Sequence, residues 1–370
     1  MQFARMKIEQ ESPEQFGYER IKYNLTESST ADKTLADIGV EIGGNTLLCY
    51  GDHMGKPELR ALIAEQYGAS PENVMIGVGA CMSLFMVYSA LLMPGDHILV
   101  MHPNYPANIE IPRSLGCDVE RFGLRFEEGF RLDVDDMIAR IRPDTKIVSV
   151  TYPHNPTGAM IEENDLRRLM AACEEKGCYL LVDETYGDLT IGPRLPHVSN
   201  MSPYGICIES LSKAIGIPGI RIGWVVSKDR TFFDKLLAAK EQVCICGSIL
   251  DEECAYGVLQ KRGELMRGIR KDIDEKFAVL CGEMEAQNVL DWVRPQGGVV
   301  CFPRIKPGIE LDTAEFYDVL NNRYGVFVGP GRWFDMDDRY FRVGYAWPDR
   351  EELRQGLRNL FRAIDDVRKK

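Results

Sequence analysis

Between residues 73 and 226 the chain alternates short β-branched apolar runs with longer stretches in which apolar residues recur every three or four positions. The first pattern predicts strands over 73–78, 97–101, 146–151, 179–182, 204–209 and 222–227. The second predicts helices, clearest over 80–93 and 162–176. Strands and helices in alternation build a mostly parallel sheet with helices on its faces, an α/β domain. Pro94-Gly95-Asp96 and Gly177 stand where those helices should stop. A charged amphipathic stretch over 232–286 reads as helical and leads into a second region. There, 299–305, 325–328 and 340–345 read as strands, with 313–323 and 350–369 as helices, which makes a smaller α+β domain. The first 45 residues hold no sustained period beyond a short helix expected over 34–39. The expected organisation is an N-terminal arm over 1–45 that packs with the small domain and the pocket mouth, a large domain over 46–287 and a small C-terminal domain over 288–370.

Composition narrows the function classes. With 370 residues, 45% hydrophobic and 27% charged, the chain can bury a large core. A formal net charge of −12 without a basic tract argues against nucleic acid as a partner. The 11 cysteines are scattered through apolar segments, there are only 5 histidines, and Cys244 and Cys246 are too close for the usual metal-binding spacing. Free thiols in an intracellular setting, and no metal site, are expected. The residues after Met1 lack an apolar leader, and no run approaches the roughly 20 apolar residues of a membrane helix. A cytoplasmic protein without a membrane partner is the expectation.

Candidate chemistry gathers at strand ends. In the run from Ser210 to Trp224, Lys213 sits between small hydroxyl residues, and Arg221 follows eight positions later among glycines and a proline. A lysine in a glycine-bounded apolar loop can be shifted toward its neutral amine, the form that condenses with an aldehyde. Arg221 and the serines would then hold a phosphate of the same molecule; the other reading is a basic surface turn. Asp183-Glu184-Thr185-Tyr186 follows an apolar strand, where open α/β sheets place ligands, although a capped turn accounts for the aspartate equally well. Tyr152-Pro153-His154-Asn155-Pro156-Thr157-Gly158 also follows a strand and reads as a turn that aims an amide off the sheet. Gly77-Val78-Gly79-Ala80-Cys81 joins a strand to a helix whose first N–H groups are unpaired and suit a phosphate, yet it matches no nucleotide-binding fingerprint.

Taken together these residues resemble the pyridoxal-phosphate enzymes of fold type I, specifically the class I/II aminotransferase superfamily, over nearly the whole chain. The Ser-x-Ser-Lys-x-x-Gly-x-x-Gly-x-Arg motif of that family is complete here, and its Schiff-base lysine falls on Lys213. The resemblance implies that Asp183 meets the pyridine nitrogen and that Tyr186 and Asn155 reach the ring hydroxyl. It implies a phosphate cup from Gly79, Ala80, Cys81, Ser210, Ser212 and Arg221, and an aromatic stack from Tyr105. Tyr50, in Tyr50-Gly51-Asp52-His53-Met54-Gly55, resembles the tyrosine that reaches the neighbouring subunit's phosphate, which implies a homodimer with shared sites. Arg342, in Phe341-Arg342-Val343-Gly344, resembles the arginine that grips the substrate α-carboxylate.

The implied activity is transfer of an amino group between an L-amino acid and a 2-oxo acid. Proton loss at Cα also begins elimination and cyclisation, so a carbon–sulfur β-lyase, a β/γ-elimination enzyme or a cyclase on the same fold is the alternative. Dicarboxylate-specific relatives bring a second arginine from the partner, in a region corresponding to about 244–259, and none occurs there. Asp251, Glu252 and Glu253 stand in that stretch, and Glu27 of the arm falls near the expected pocket mouth. A basic amino donor follows by charge complementarity, whereas capping of the next helix also explains the acids at 251–253, and more simply. Trp333 and Phe334 are expected to pack the small domain. Neither a DNA-binding sensor nor a catalytically dead relative is expected, since no basic helix-turn-helix is seen and Lys213 and Asp183 are both present.

Overall fold

The computed structural model describes residues 1–369. Its centre is a seven-stranded sheet of β1 (Val74–Val78), β2 (His97–His102), β3 (Asp118–Gly123), β4 (Thr145–Thr151), β5 (Tyr179–Asp183), β6 (Gly205–Ser210) and β7 (Ile222–Val226). The strand order is β1-β7-β6-β5-β4-β2-β3. β7 runs antiparallel to both neighbours, β1 and β6, and every other pair is parallel. Central strands β4, β5 and β6 are buried almost throughout, because helices cover both faces of a parallel sheet. Their continuous apolar runs made them legible. β3, with sequence Asp-Val-Glu-Arg-Phe-Gly, escapes a reading based on apolar runs because it is an edge strand with a largely polar, half-exposed surface.

Three sequence expectations are corrected. The stretch 232–286 is not one helix but three, Arg230–Val243, Ile249–Gln260 and Arg262–Ala286. The first break holds Ile245 at φ 58° and Gly247, where a Cβ would lie 2.1 Å from Glu252 Oε1. Ser248 then caps the next helix by accepting from the Asp251 N–H at 3.4 Å. The expected strand over 299–305 is split into Val300–Cys301 and Arg304–Ile305, which belong to different small sheets. Pro303 lies between them and has no N–H for a ladder. Residues 34–39 form a turn rather than a helix, fixed by Asp37 Oδ2, which accepts from both the N–H and the hydroxyl of Thr34. The helix expected over 80–93 runs over Gly79–Leu91, and the one over 313–323 is α-helical only over Thr313–Asp318 before widening into a π turn over Val319–Arg323.

The smaller α+β region centres on Phe341–Gly344, which pairs antiparallel with Val300–Cys301 on one side and Gly329–Pro330 on the other. Helix Arg350–Val367 packs against helix Arg262–Ala286 and opens on a capping box between Asp349 and Glu352. The arm is stitched into this region. Tyr23–Asn24 pairs in parallel with Val326–Phe327, and Gly344 N–H donates to Leu25 O at 2.8 Å. Gly344 must be glycine, since a Cβ would lie 1.7 Å from Glu27 O. Past that point the arm crosses the Lys213 loop, where Thr30 N–H donates to Lys213 O at 3.0 Å. Among the described residues no helix is long and apolar enough to cross a membrane. The 11 cysteines are free thiols.

Candidate active site

A cavity of about 380 Å³ opens at the carboxyl ends of the parallel strands, roofed by the arm and by Trp333 and Arg342 of the smaller region. Lys213, Asp183, Tyr186, Asn155, Tyr105, Ala80, Cys81, Ser210, Ser212, Arg221, Arg342 and Glu27 all line it. Gly79 stands immediately behind that lining: at φ 71°, its Cβ would lie 2.6 Å from Arg221 Nη2, so the glycine lets the guanidinium close over the helix start. Tyr50 does not reach this cavity; it is 80% exposed beside the exposed Leu47 and Leu48. Asp251, Glu252 and Glu253 do not line it either. Glu252 Oε2 accepts from the Lys56 N–H at 2.6 Å, Glu253 pairs with Lys56 Nζ at 2.7 Å, and the helix start they occupy agrees with the capping reading. Trp333 packs in the core of the smaller region as expected and also lines the cavity, while its Nε1 donates to Glu11 Oε2 at 2.7 Å. Phe334 does pack, beneath the Arg342 guanidinium and against Phe302.

Asp183 ends β5 in register with Thr151 of β4 and Ile208 of β6, so the sheet fixes its position. It is 5% exposed, and its Oδ1 accepts from the N–H of Thr185 at 3.0 Å and from its hydroxyl at 2.6 Å. Burial pushes its carboxyl above the ordinary range, and among the described residues no cation pairs with it. Such a carboxylate calls for a positive partner supplied from the cavity. Lys213 lies just past β6, and burial pushes its amine below the usual lysine range, with Glu27 opposing the shift and Arg342 adding to it. Tyr186 is pushed up to about 12 by burial and stays a neutral donor.

The phosphate-sized end is built from backbone. Helix Gly79–Leu91 has no side-chain cap, which leaves its first N–H groups open to an anion beside Arg221. Arg221 itself holds φ 50°, a left-handed conformation that bulky residues seldom adopt and that recurs at functional sites. At the other end Arg342, 4% exposed, donates from Nη1 to Asn155 Oδ1 at 3.1 Å and from Nη2 to Thr26 O at 2.7 Å, while its Nε has no partner. His154 of the same turn as Asn155 is buried, bonds Thr157 Oγ1 at 2.7 Å through Nδ1, and is pushed down to about 3 by burial. It is a neutral brace for the turn.

Two groups of residues escaped the sequence reading. The first comes from the arm, where Glu9 and Glu14 on short helices reach the cavity along with Ser12 and Pro13. No periodicity marks helices of four residues. The second is a buried ionic cluster behind Asp183. Arg194 Nη2 lies 2.9 Å from both Glu184 Oε2 and Glu209 Oε2, Tyr67 donates to Glu209 at 2.7 Å, and His197 bonds Glu184 at 2.7 Å. Burial works against ionised Glu184, but His197 and Arg194 outweigh it and hold the carboxyl down at about 2. Glu184 directly after Asp183 was visible in sequence; its charged partners Arg194 and His197 lie in a loop without pattern.

A mixed sheet in this order, with a lysine, a buried aspartate and an arginine converging at its carboxyl edge, defines a pyridoxal-phosphate-dependent enzyme of fold type I. The chain belongs to the aminotransferase class I and II family, whose model matches residues 25–360. It is similar to a capreomycidine synthase of Streptomyces vinaceus, 30% identical over 83% of this chain and 78% of that protein. An arginine–pyruvate transaminase of Pseudomonas aeruginosa is also 30% identical, over 86% of this chain and 82% of that protein. Among solved structures, a PLP-dependent aminotransferase from Streptococcus suis superposes with a TM-score of 0.91 at 28% identity, covering 100% of both chains. Pyridoxal phosphate is therefore the cofactor, and the residues present fit it: an uncompensated buried carboxylate, an amine shifted toward neutrality and a glycine-floored anion cup lie in one cavity.

Proposed function

We propose that this enzyme is an aminotransferase that moves an amino group between an L-amino acid and a 2-oxo acid. The observation that supports it is the convergence of Lys213, Asp183 and Arg342 on one cavity. When bound, the cofactor supplies an aldehyde that joins to amines and a ring that withdraws electrons. Lys213 would hold the cofactor through its aldehyde; once an incoming amino group has displaced it, the freed amine, held toward the neutral form by burial, could accept the proton from the substrate Cα. Asp183 keeps the ring nitrogen protonated by opposite charge. Tyr186 and Asn155 would meet the ring hydroxyl and Tyr105 the ring face. Ala80, Cys81, Ser210, Ser212 and Arg221 would hold the phosphate, with Gly79 leaving room for the guanidinium. Arg342 receives the α-carboxylate in its planar fork and so selects which bond at Cα stands across the ring. The exposed Tyr50, with Leu47 and Leu48 at 76% and 71% exposure, supports a homodimer in which Tyr50 completes the partner's phosphate site.

A second reading, a lyase or cyclase that also begins with proton loss at Cα, draws support from the 30% identity to a capreomycidine synthase. One experiment separates them. Purified holoenzyme is given a panel of ¹⁵N-labelled L-amino acids with pyruvate or 2-oxoglutarate, and the products are read by mass spectrometry. The expected result is ¹⁵N in a new amino acid made from the 2-oxo acid. Ammonia or a cyclised product, with no label in the second amino acid, overturns the aminotransferase reading in favour of the other.

A further inference from the structure

The charges lining the cavity do not balance. Its cations are Lys213, Arg221 and Arg342. Under the aminotransferase reading, on which this inference rests for the α-amino-acid end, each is committed: Lys213 to the aldehyde, Arg221 to the phosphate, Arg342 to the α-carboxylate. Asp183 is committed to the ring nitrogen. What remains is Glu9, Glu14 and Glu27, all carried by the arm.

Among the described residues none of these glutamates is in an ion pair. Glu27 Oε1 accepts from Tyr18 Oη at 3.1 Å and Glu9 Oε1 accepts from Tyr105 Oη at 3.1 Å, so each retains a second oxygen. Burial pushes the Glu27 carboxyl above its usual range and Glu14 adds to the push, while Lys213, the Tyr18 hydroxyl and Arg342 pull it back; among the described residues no ion pair holds it. The place is defined by a second, independent feature. Arg342 is nearly fully buried, lines the same cavity and has an unpartnered Nε, while its Nη2 is held by the carbonyl of Thr26, the residue next to Glu27. The α-carboxylate anchor and the free carboxylate thus belong to one rigid junction, and Ile8, Leu84 and Trp333 supply apolar wall for a methylene stem.

We propose that this cavity selects an L-amino acid whose side chain ends in a cation, a guanidino or amino group on a run of methylenes, received by Glu27 and Glu14 with Glu9 at its edge. A dicarboxylic substrate would bring its distal carboxylate against three glutamates and meet no cation that is not already committed. An uncharged side chain would leave the Glu27 carboxylate without a cationic partner, its only hydrogen bond among the described residues being the one from Tyr18 Oη.

The test compares L-arginine with L-citrulline, which has nearly the same shape but a neutral terminus, and with L-glutamate. Binding to the holoenzyme is measured by calorimetry, and amino transfer is measured separately by ¹⁵N label. Arginine is expected to bind about 30-fold more tightly than citrulline, the span of a charge-assisted pair in a partly enclosed site. Glu27→Gln and the exposed arm variant Glu14→Gln should each reduce that ratio, and the double variant should bring it near one. A ratio near one in the wild type, or one unchanged in the double variant, overturns the proposal. If arginine is bound selectively and no label moves, the specificity stands and the aminotransferase reading falls. If label moves equally from arginine, citrulline and glutamate, the reverse holds.

Discussion

A single lysine carries most of what the site can do, and it can do so because of its surroundings rather than its identity. Lys213→Ala should abolish the visible absorbance of bound cofactor and lower amino transfer by about 10³-fold, within the range a positioned proton-transfer group supplies. Asp183→Asn should keep the cavity shape and still lower turnover by about 10²-fold or more, because it removes the charge that opposes the ring nitrogen. Retained colour in the first or full turnover in the second would refute these assignments. His154 and Glu184 give a pH signature of stability. His154 moves from 6.5 down to about 3 on burial, so the unfolded chain takes up the proton first; its contribution is complete above 6.5 and is lost as pH falls toward 3. Glu184 moves from 4.5 to about 2, so its contribution is complete above 4.5 and lost as pH falls toward 2. Urea unfolding followed from pH 7 downward should therefore weaken first below 6.5, and His154→Asn should flatten that upper part of the loss. An unchanged slope in the variant would show that His154 is not the group involved. The residues of this site were legible one by one, since Lys213, Asp183, Asn155 and Arg221 each sit in a motif. Glu14 was not, because an exposed acid on a four-residue helix has no local mark until the chain folds over the cavity.

At the level of elements, the site depends on how closely backbones meet. Gly223 of β7 lies against the start of helix Gly79–Leu91: a Cβ there would stand 2.7 Å from Gly79 C, 2.8 Å from Ala80 N and 2.9 Å from Glu209 O. All three are backbone atoms, so none can swing away. Gly223→Ala should cost about 1–3 kcal/mol in urea unfolding, as forced overpacking does, and should weaken cofactor binding by displacing the phosphate cup. Gly219→Ala is the control, since nothing lies within 4 Å of its Cβ position. Equal behaviour of the two variants would remove the argument. The parallel core strands and their following helices were readable from periodicity, because burial on both faces forces continuous apolar runs. Edge strand β3 and the breaks at 244–248 and 302–303 were not. An edge strand tolerates charge, and a helix ends where a cap such as Ser248 competes with continuation, a balance that apolar spacing does not report.

For the whole molecule, the proposed homodimer makes a prediction that no single chain can meet. Tyr50→Phe should weaken cofactor binding in a chain whose own cavity Tyr50 does not line. Refolding a mixture of Tyr50→Ala and Lys213→Ala chains should restore about a quarter of the sites, since random pairing gives half mixed dimers with one complete site each. No recovery on mixing would count against shared sites. The amino-acid sequence by itself determined the α/β architecture, because burial periodicity is a local property, and it carried the motifs around Lys213, Asp183 and Asn155 whose resemblance to the fold type I family implied the cofactor. Only the tertiary structure decided the shape and charge of the substrate end. The arm crosses from Val326–Phe327 to the Lys213 loop and carries Glu9, Glu14 and Glu27 onto a cavity whose other walls come from distant parts of the chain, from Ala80 to Arg342. Which charges remain unpaired there depends on which partners the fold brings within reach, and distance in space is not written in the order of residues.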